Sequence, residues 1–247
     1  MHRILAACLL LLAAASLRAG EVQVAAAANL ASVIDRIAAA FARDTGHRAV
    51  VALGSTGKFY AQIRNGAPFE VLLSADAATP SRLVADGAAR AESQFTYALG
   101  RLVLWSARAD VVDARGEVLG QPGAMKLAIA DPRLAPYGAA AVEVLQNLHV
   151  HEAWQPHLVT GESIAQAYQF AATGNAKIAF IALSQVAENG RIARGSGWLV
   201  PPRLYAPIQQ DAVLLNTGAS NPAATAFLVY LRGNAARAIL RNAGYGL

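Results

Sequence analysis

The sequence predicts an α/β fold in which mainly parallel β-sheets are flanked by helices, and three observations support this prediction. The chain has 247 residues, of which 55% are hydrophobic and 15% charged, so disorder is excluded as its main state. Short apolar runs alternate with stretches of helical periodicity, as in repeated β–α units. The length suits two lobes of roughly 100 residues each.

Eight short apolar runs are predicted to be buried strands. They cover residues 22–28, 49–53, 71–74, 101–106, 126–130, 158–160, 178–182 and 213–215. We expect the chain to cross between two lobes near residues 98–101 and again near residues 208–211. Lobe 1 is then predicted to hold residues 20–100 plus 210–247, and lobe 2 residues 101–209.

Helices are predicted between these strands. The first opens at Asn29, because large apolar residues follow with helical spacing and Gly46 lies just past its end. A short helix follows the turn at residues 54–57, and Thr79-Pro80 starts another. The later helices are predicted at residues 138–150, 162–170, 223–231 and 235–243.

The first 19 residues (1–19) have the pattern of a secretory signal peptide. Arg3 supplies a positive start, residues 4–15 form an unbroken apolar run, and small residues follow. The run is short for a membrane-spanning helix. The cleavage site stays open between residues 13–15 and 17–19. The single cysteine, Cys8, lies in this segment, so the mature chain is expected to be soluble, periplasmic and free of disulfides.

The charge pattern and the motifs argue against several function classes. The formal net charge is +5, but the basic residues are scattered singly, so no nucleic-acid partner is predicted. Residues 54–58 lack the spacing of a phosphate loop, and neither G-x-S-x-G nor H-E-x-x-H occurs. His149 and His151 are interpreted as surface residues rather than metal ligands. We therefore expect no catalytic or metal site.

Four predicted helix starts follow strands and carry small or hydroxyl residues. They are Ala28-Asn29, Ser55-Thr56-Gly57, Tyr137-Gly138-Ala139 and Ser163-Ile164. In an open α/β sheet the carboxyl ends of the strands cluster at one edge, where helix N-termini expose unpaired N–H groups and a positive dipole. Each start taken alone is explained by ordinary helix capping. Together the four predict an anion site that needs no cation.

Four longer segments resemble the periplasmic molybdate-binding proteins of ABC-type importers, and the resemblance covers about residues 21–247. The segments are AAAANLASVIDRIAAAF, GSTGKFYAQIRNGAPFEVLLSAD, LAIADPRLAPYGAAAVEVLQ and GESIAQAYQFAATGNAKIAFIALS. The resemblance implies a type II periplasmic-binding-protein fold, with an oxyanion buried between two lobes and held by neutral donors. It also implies molybdate or tungstate as ligand, no cofactor, a membrane permease as partner and a monomeric chain.

The resemblance also implies which residues bind the ligand. In lobe 1 the family uses a Ser or Asn side chain at the first helix start, which matches Asn29. It uses a hydroxyl at the second start, which matches Thr56, with Ser55 adjacent. In lobe 2 it uses backbone N–H groups, which match Tyr137 and Ile164.

One donor of the family is missing from this sequence. Some relatives have a tyrosine hydroxyl after a later strand, and the matching position here is Ala182. We hypothesise that the Tyr137 hydroxyl partly replaces it.

Two other functions stay open. One is a receptor for another oxyanion, such as sulfate or phosphate, or for an organic anion. The other is a secreted hydrolase that uses Ser55 or Thr56 as nucleophile, although no histidine lies near the four helix starts in sequence.

Overall fold

The protein folds into two five-stranded sheets, each flanked by helices, in a computed structural model that describes residues 19–120 and 122–247. This arrangement confirms the predicted α/β fold of two lobes. Nearly all of the predicted signal peptide, residues 1–18, lies outside the described residues. Within the described ranges, none of the helices combines the length and apolar character needed to cross a membrane.

The elements follow one another along the chain as alternating strands and helices. The strands are β1 (Glu21–Ala27), β2 (Arg48–Gly54), β3 (Val71–Leu73), β4 (Phe95–Gly100), β5 (Leu102–Ser106), β6 (Leu127–Ala130), β7 (Leu158–Gly161), β8 (Ile178–Ala182), β9 (Ala187–Glu188), β10 (Arg191–Ile192), β11 (Ser196–Leu199) and β12 (Ile208–Leu214). The α-helices are α1 (Ile34–Thr45), α2 (Thr56–Arg64), α3 (Ala78–Ala85), α4 (Pro136–Asn147), α5 (His151–Trp154), α6 (Ile164–Ala172), α7 (Pro222–Arg232) and α8 (Asn234–Asn242).

The first sheet has the strand order β2-β1-β3-β12-β4. Strand β1 runs parallel to β2 and β3, whereas β12 runs antiparallel to both of its neighbours. Successive side chains of a strand point to opposite faces. Val24 and Ala26 of β1 therefore pack in the core with α1, α7 and α8, while Ala25 packs in the core with α2 and α3. Helices thus cover both faces of this sheet.

The second sheet has the strand order β11-β5-β8-β6-β7. Strand β6 runs parallel to β7 and β8, whereas β5 runs antiparallel to β8 and β11. In each sheet, the strand that runs antiparallel to its neighbours is the first strand along the chain after the chain crosses from the other sheet. Strand β5 follows β4 after Arg101, and β12 follows β11 after residues 200–207. The core of this sheet contains the buried indoles of Trp105 and Trp154.

Several boundaries differ from the prediction. The helix predicted from Asn29 starts as a 3₁₀ turn over Ala28–Leu30, and α1 begins only at Ile34. Residues 208–211, predicted to be a crossing, form the first half of β12. The pattern there misleads because Gln210 and Asp211 are buried polar residues that are satisfied by hydrogen bonds. Strands β9, β10 and β11 and helix α5 were not predicted, since each has only two to four residues. The six-residue β4 was not predicted either, although Phe95, Tyr97 and Leu99 alternate along it.

Gly138 sets how closely α4 approaches β6. A Cβ added at Gly138 would lie 2.2 Å from the carbonyl oxygen of Ala130. We predict that Gly138→Ala lowers the free energy of unfolding by about 1–3 kcal/mol, because the two backbones must move apart. Urea unfolding followed by circular dichroism measures this change.

Gly120→Ala is the matched control for that substitution. An added Cβ at Gly120 meets no atom within 4 Å, so its effect on unfolding should be small. Equal stabilities of the two variants would contradict the packing argument.

Candidate functional site

Two polar residues follow neighbouring strand ends at the carboxyl edge of the first sheet. Ala27 and Gly54 are register partners at the ends of the parallel strands β1 and β2. Ser55 follows Gly54 directly and Asn29 comes two residues after Ala27, and only 4% and 1% of their surfaces are exposed. The edge therefore carries two buried side chains that can hydrogen-bond in the interior.

The second sheet contributes helix N-termini at its own carboxyl edge. Ala130 and Gly161 are register partners at the ends of β6 and β7. Helix α4 begins soon after β6, and α6 begins soon after β7. Tyr137 and Ile164 lie in the first turns of these helices, where backbone N–H groups have no acceptor within the helix. Both residues are buried.

The two edges face each other and touch. The N–H group of Gly57 in α2 donates a hydrogen bond to the carbonyl of Leu134, at 2.9 Å. Next to it, Lys58 Nζ lies 2.5 Å from Glu162 Oε2. Leu134 precedes α4 and Glu162 precedes α6, so the start of α2 contacts both helix starts of the second sheet. The structure thus brings the predicted helix starts to one interface.

Two buried atoms at this interface lack partners. Among the residues that the structure describes, Asn29 Oδ1 and Ser55 Oγ are the buried side-chain nitrogen or oxygen atoms without a hydrogen bond. Leaving such an atom unpaired costs about 1–3 kcal/mol, so each one calls for an explanation. Both residues belong to the predicted ligand set, and they lie at adjacent strand ends.

Thr56 differs from its neighbour Ser55. The Thr56 hydroxyl oxygen accepts a hydrogen bond from the backbone N–H of Ala75, at 3.1 Å. A hydroxyl has one proton to donate and two lone pairs. Thr56 therefore keeps its proton for a further partner, while its oxygen ties α2 to the segment after β3.

Asn29 belongs to a buried hydrogen-bond network that joins the two sheets. Its Nδ2 donates to Gln210 Oε1 and to the Tyr245 hydroxyl, both at 2.9 Å. The Ser184 hydroxyl, which follows β8 of the second sheet, donates to the backbone carbonyl of Asn29 at 2.9 Å. Gln210 Nε2 donates to the Tyr137 hydroxyl at 3.0 Å. Asn29 and Tyr137, one from each sheet, are therefore linked through Gln210.

The tyrosines of this network stay neutral. Burial raises the pKa of Tyr245 to about 12, and it raises the pKa values of Tyr97 and Tyr137 well above 10.0. Their hydroxyls therefore keep their protons at neutral pH and can donate hydrogen bonds.

Ala182 is fully buried at the end of β8 and has no polar side chain to offer. Its N–H donates to Gln185 Oε1 at 2.9 Å. The Tyr137 hydroxyl lies against Gln210 and the backbone of Gly100, where a Cβ would come within 2.3 Å of it. Whether this hydroxyl replaces the missing donor stays a hypothesis; its position places it in the network behind Asn29.

Sequence reasoning missed Gln210, Tyr97, Tyr245 and Ser184. The one available signal was the polar run Gln209-Gln210-Asp211 inside an otherwise apolar strand. Tyr245 comes from the last residues of the chain and reaches Asn29 only through the tertiary fold.

Two ion pairs lie beside the interface. Lys58 pairs with Glu162, and Arg133 pairs with Asp131 at 2.8 Å. The hydrogen bond from the Arg133 guanidinium lowers the pKa of Asp131, so this carboxylate stays ionised. The buried residues at the centre of the interface are uncharged, which suits an anion site made of neutral donors.

Comparisons with known proteins place the chain in a family. The family model for bacterial extracellular solute-binding proteins matches residues 22–246. The molybdate-binding protein ModA of Azotobacter vinelandii is 53% identical over 236 residues, which cover 96% of this chain and 94% of that protein. ModA of Rhodobacter capsulatus is 54% identical over 228 residues, covering 92% and 88%.

The solved structure of an Azotobacter vinelandii periplasmic molybdate-binding protein has a similar fold. It superposes with a TM-score of 0.88 at 40% identity and covers 92% of this chain and 99% of that one. The matches in sequence and in fold agree over nearly the whole described chain. The protein belongs to the family of bacterial extracellular solute-binding proteins.

Proposed function

We propose that this protein captures molybdate, and equally tungstate, in the periplasm and delivers it to the membrane permease of an ABC importer. The observation that carries the proposal is the pair of unpartnered buried atoms on Asn29 and Ser55, at the interface of the two sheets. The 53% and 54% identity to molybdate-binding proteins supports the choice of anion. The chain acts as a monomer and needs no cofactor, since the metal arrives as its oxyanion.

The anion is held by neutral donors from both lobes. Ser55 and Thr56 have hydroxyl protons left to donate from lobe 1. Asn29 is proposed to contribute its amide N–H2 group, which in the structure is directed to Gln210 and Tyr245. Tyr137 and Ile164 supply backbone N–H groups from lobe 2, where helix dipoles add to the attraction. Ser55 is the stronger hydroxyl candidate, because its oxygen has no other partner.

The proposed domain boundaries follow the sheets except at Ile208 and Gln209, the first two residues of β12, which they leave in lobe 2. We assign residues 20–100 plus 210–247 to lobe 1 and residues 101–209 to lobe 2. Asn29 and Ser55 are buried while Gly57 contacts Leu134, so the lobes must separate to admit an anion. Binding then couples to closure of the lobes.

The alternative of a secreted hydrolase has less support. A serine nucleophile needs a base within hydrogen-bond reach. In the described part of the chain the Ser55 hydroxyl has no hydrogen-bond partner, and that of Thr56 contacts a backbone amide. We therefore propose binding without catalysis.

Ser55→Ala tests the role of the hydroxyl. We predict that this substitution weakens molybdate binding by roughly 1.5–3 kcal/mol, because it removes a hydrogen bond to a charged group. Isothermal titration calorimetry measures the change, and exposed Ser220→Ala is the control. Asn29→Ala should act similarly. Unchanged affinity in both site variants would remove these residues from the binding site.

Selectivity should depend on anion size. A fixed ring of donors suits one anion radius, and hydrogen bonds weaken once the donor–acceptor distance exceeds about 3.2 Å. Sulfate is smaller than molybdate and would leave donors unpaired, at about 1–3 kcal/mol each. Two such losses lower the affinity for sulfate by about 30-fold or more, whereas tungstate should bind like molybdate. Competition calorimetry with the three anions measures these affinities. If sulfate binds as tightly as molybdate, the protein is a general oxyanion receptor instead.

Gly57→Ala tests lobe closure. A Cβ at Gly57 would lie 3.0 Å from Leu134 Cα and 3.2 Å from its carbonyl oxygen, which opposes the closed contact. We predict roughly tenfold to hundredfold weaker molybdate binding, with unfolding of the free protein unchanged. Small-angle scattering with saturating molybdate should show a smaller population of the compact form than in the wild type.

Lys58→Ala is the comparison for that experiment. It removes an ion pair whose side chains are 42% and 69% exposed, and such pairs contribute at most about 1 kcal/mol. If Lys58→Ala weakens binding more than Gly57→Ala does, closure depends on the ion pair rather than on the backbone contact.

A further inference from the structure

The direction of the Asn29 amide decides whether this residue attracts or repels an anion. In the structure Nδ2 points to Gln210 and Tyr245, so the unpartnered end is the oxygen. A carbonyl oxygen facing an oxyanion is repulsive, whereas an N–H2 group offers two donors. The two ends of an amide have nearly the same shape, so a turn of 180° moves no neighbouring atom. The question is which groups select its direction.

Gln210 is placed to select it. Its side chain is completely buried and contacts Asn29, Tyr97 and Tyr137. Gly100 leaves the space for this arrangement, since a Cβ there would lie 2.6 Å from Gln210 Nε2. Every polar atom of the Gln210 amide therefore has a defined neighbour, and turning it changes the partner of each one.

With the two amides in these directions, the hydrogen-bond network has too few protons at some positions and too many at others. The single proton of Tyr97 faces two oxygens, the Ser74 carbonyl and Gln210 Oε1, both at 3.0 Å. The Tyr137 hydroxyl accepts from Gln210, and its own proton has no acceptor among the described residues. Asn29 Oδ1 has no donor. Three positions are thus unsatisfied at once.

Turning both amides together satisfies all three, with the Tyr245 hydroxyl giving its proton to the turned Asn29 side-chain oxygen instead of to the Asn29 backbone carbonyl. Gln210 N–H2 then donates to the Tyr97 oxygen and to the Asn29 oxygen, and Tyr97 gives its proton to the Ser74 carbonyl. The Gln210 oxygen accepts the proton of Tyr137. The Asn29 N–H2 group then occupies the position that the unpartnered Asn29 oxygen held before, and there it needs an acceptor.

We propose that Gln210 is the positioning residue that turns the Asn29 amide so that its N–H2 group faces the bound oxyanion. This inference rests on the proposed function, because the oxyanion is the acceptor that completes the turned network. The backbone carbonyl of Asn29 stays satisfied by the Ser184 hydroxyl in either arrangement. Gln210 thereby contributes to selection of an anion without contacting it, and it ties this selection to Tyr137 of the other lobe.

Neutron diffraction on crystals of the wild-type protein grown with molybdate and exchanged into heavy water tests the proposal directly. Deuterium distinguishes the nitrogen from the oxygen of each amide. We expect two deuterons on the Asn29 atom nearest the molybdate, and deuterons of Gln210 directed at Tyr97. If molybdate is bound but lies beside the Asn29 oxygen, the inference about Gln210 is overturned while the proposed function stands. Failure of the wild type to bind molybdate in calorimetry would instead overturn the proposed function.

A charge variant provides a second readout. In Gln210→Glu the ionised carboxylate can only accept, so it holds the Asn29 N–H2 group away from the anion. We expect molybdate affinity at least roughly tenfold below that of Gln62→Glu, an exposed lobe 1 control with the same added charge.

The loss in Gln210→Glu should grow as pH rises through the elevated pKa of the introduced buried carboxyl. Affinity of the Gln62→Glu control should not follow that titration. Thermal unfolding without anion reports whether the Gln210→Glu variant folds. If the variant does not fold, the neutron experiment on the wild-type protein still tests the proposal. Equal affinities of the two folded variants at every pH would overturn the role of Gln210.

Discussion

The site depends on parallel strands that end level with one another. In the first sheet Ala27 lies opposite Gly54, and in the second Ala130 lies opposite Gly161. Because parallel strands share one carboxyl edge, the segments that follow them emerge together and carry their helix N-termini to the same place. The positions of Asn29, Ser55, Tyr137 and Ile164 all derive from this pairing. A slip in register of either pair would separate these four residues even if no side chain were replaced.

A buried dianion has to be held without placing bare charge in the interior. The arrangement achieves this by separating two kinds of contact. Uncharged side chains and backbone dipoles occupy the buried centre, where electrostatic interactions are strong because water is excluded. The ionised pairs Lys58–Glu162 and Arg133–Asp131 include exposed groups and are already neutralised by each other. The ligand is therefore selected by the geometry of neutral donors. Attraction by a net positive charge would favour any dianion.

Much of the fold could be predicted from the sequence, because apolar runs and helical spacing report burial directly. Strand β8 begins and ends where predicted, at Ile178–Ala182, and the boundaries of α7 differ by one residue at each end. The prediction failed where polar residues are buried. Gln210 lies in a strand yet resembles a loop residue, because its hydrogen bonds come from Tyr97, Asn29 and Tyr137, far away in the chain. The helix starts that meet at the interface of the two sheets could be predicted, but the network behind Asn29 could not.

The position of β12 has a consequence for the order in which the protein assembles. Strand β12 lies between β3 and β4, although the whole second sheet separates it from β4 along the chain. Edge strand β4 thus has no neighbouring strand until the chain has returned, and such distant pairing forms late because a long loop must close first. The second sheet is built from one uninterrupted stretch of the chain, from β5 to β11, although β5 also waits for the later strands β8 and β11. Because Gln210 lies on β12, Asn29 gains this partner only after the chain has returned from the second sheet to complete the first.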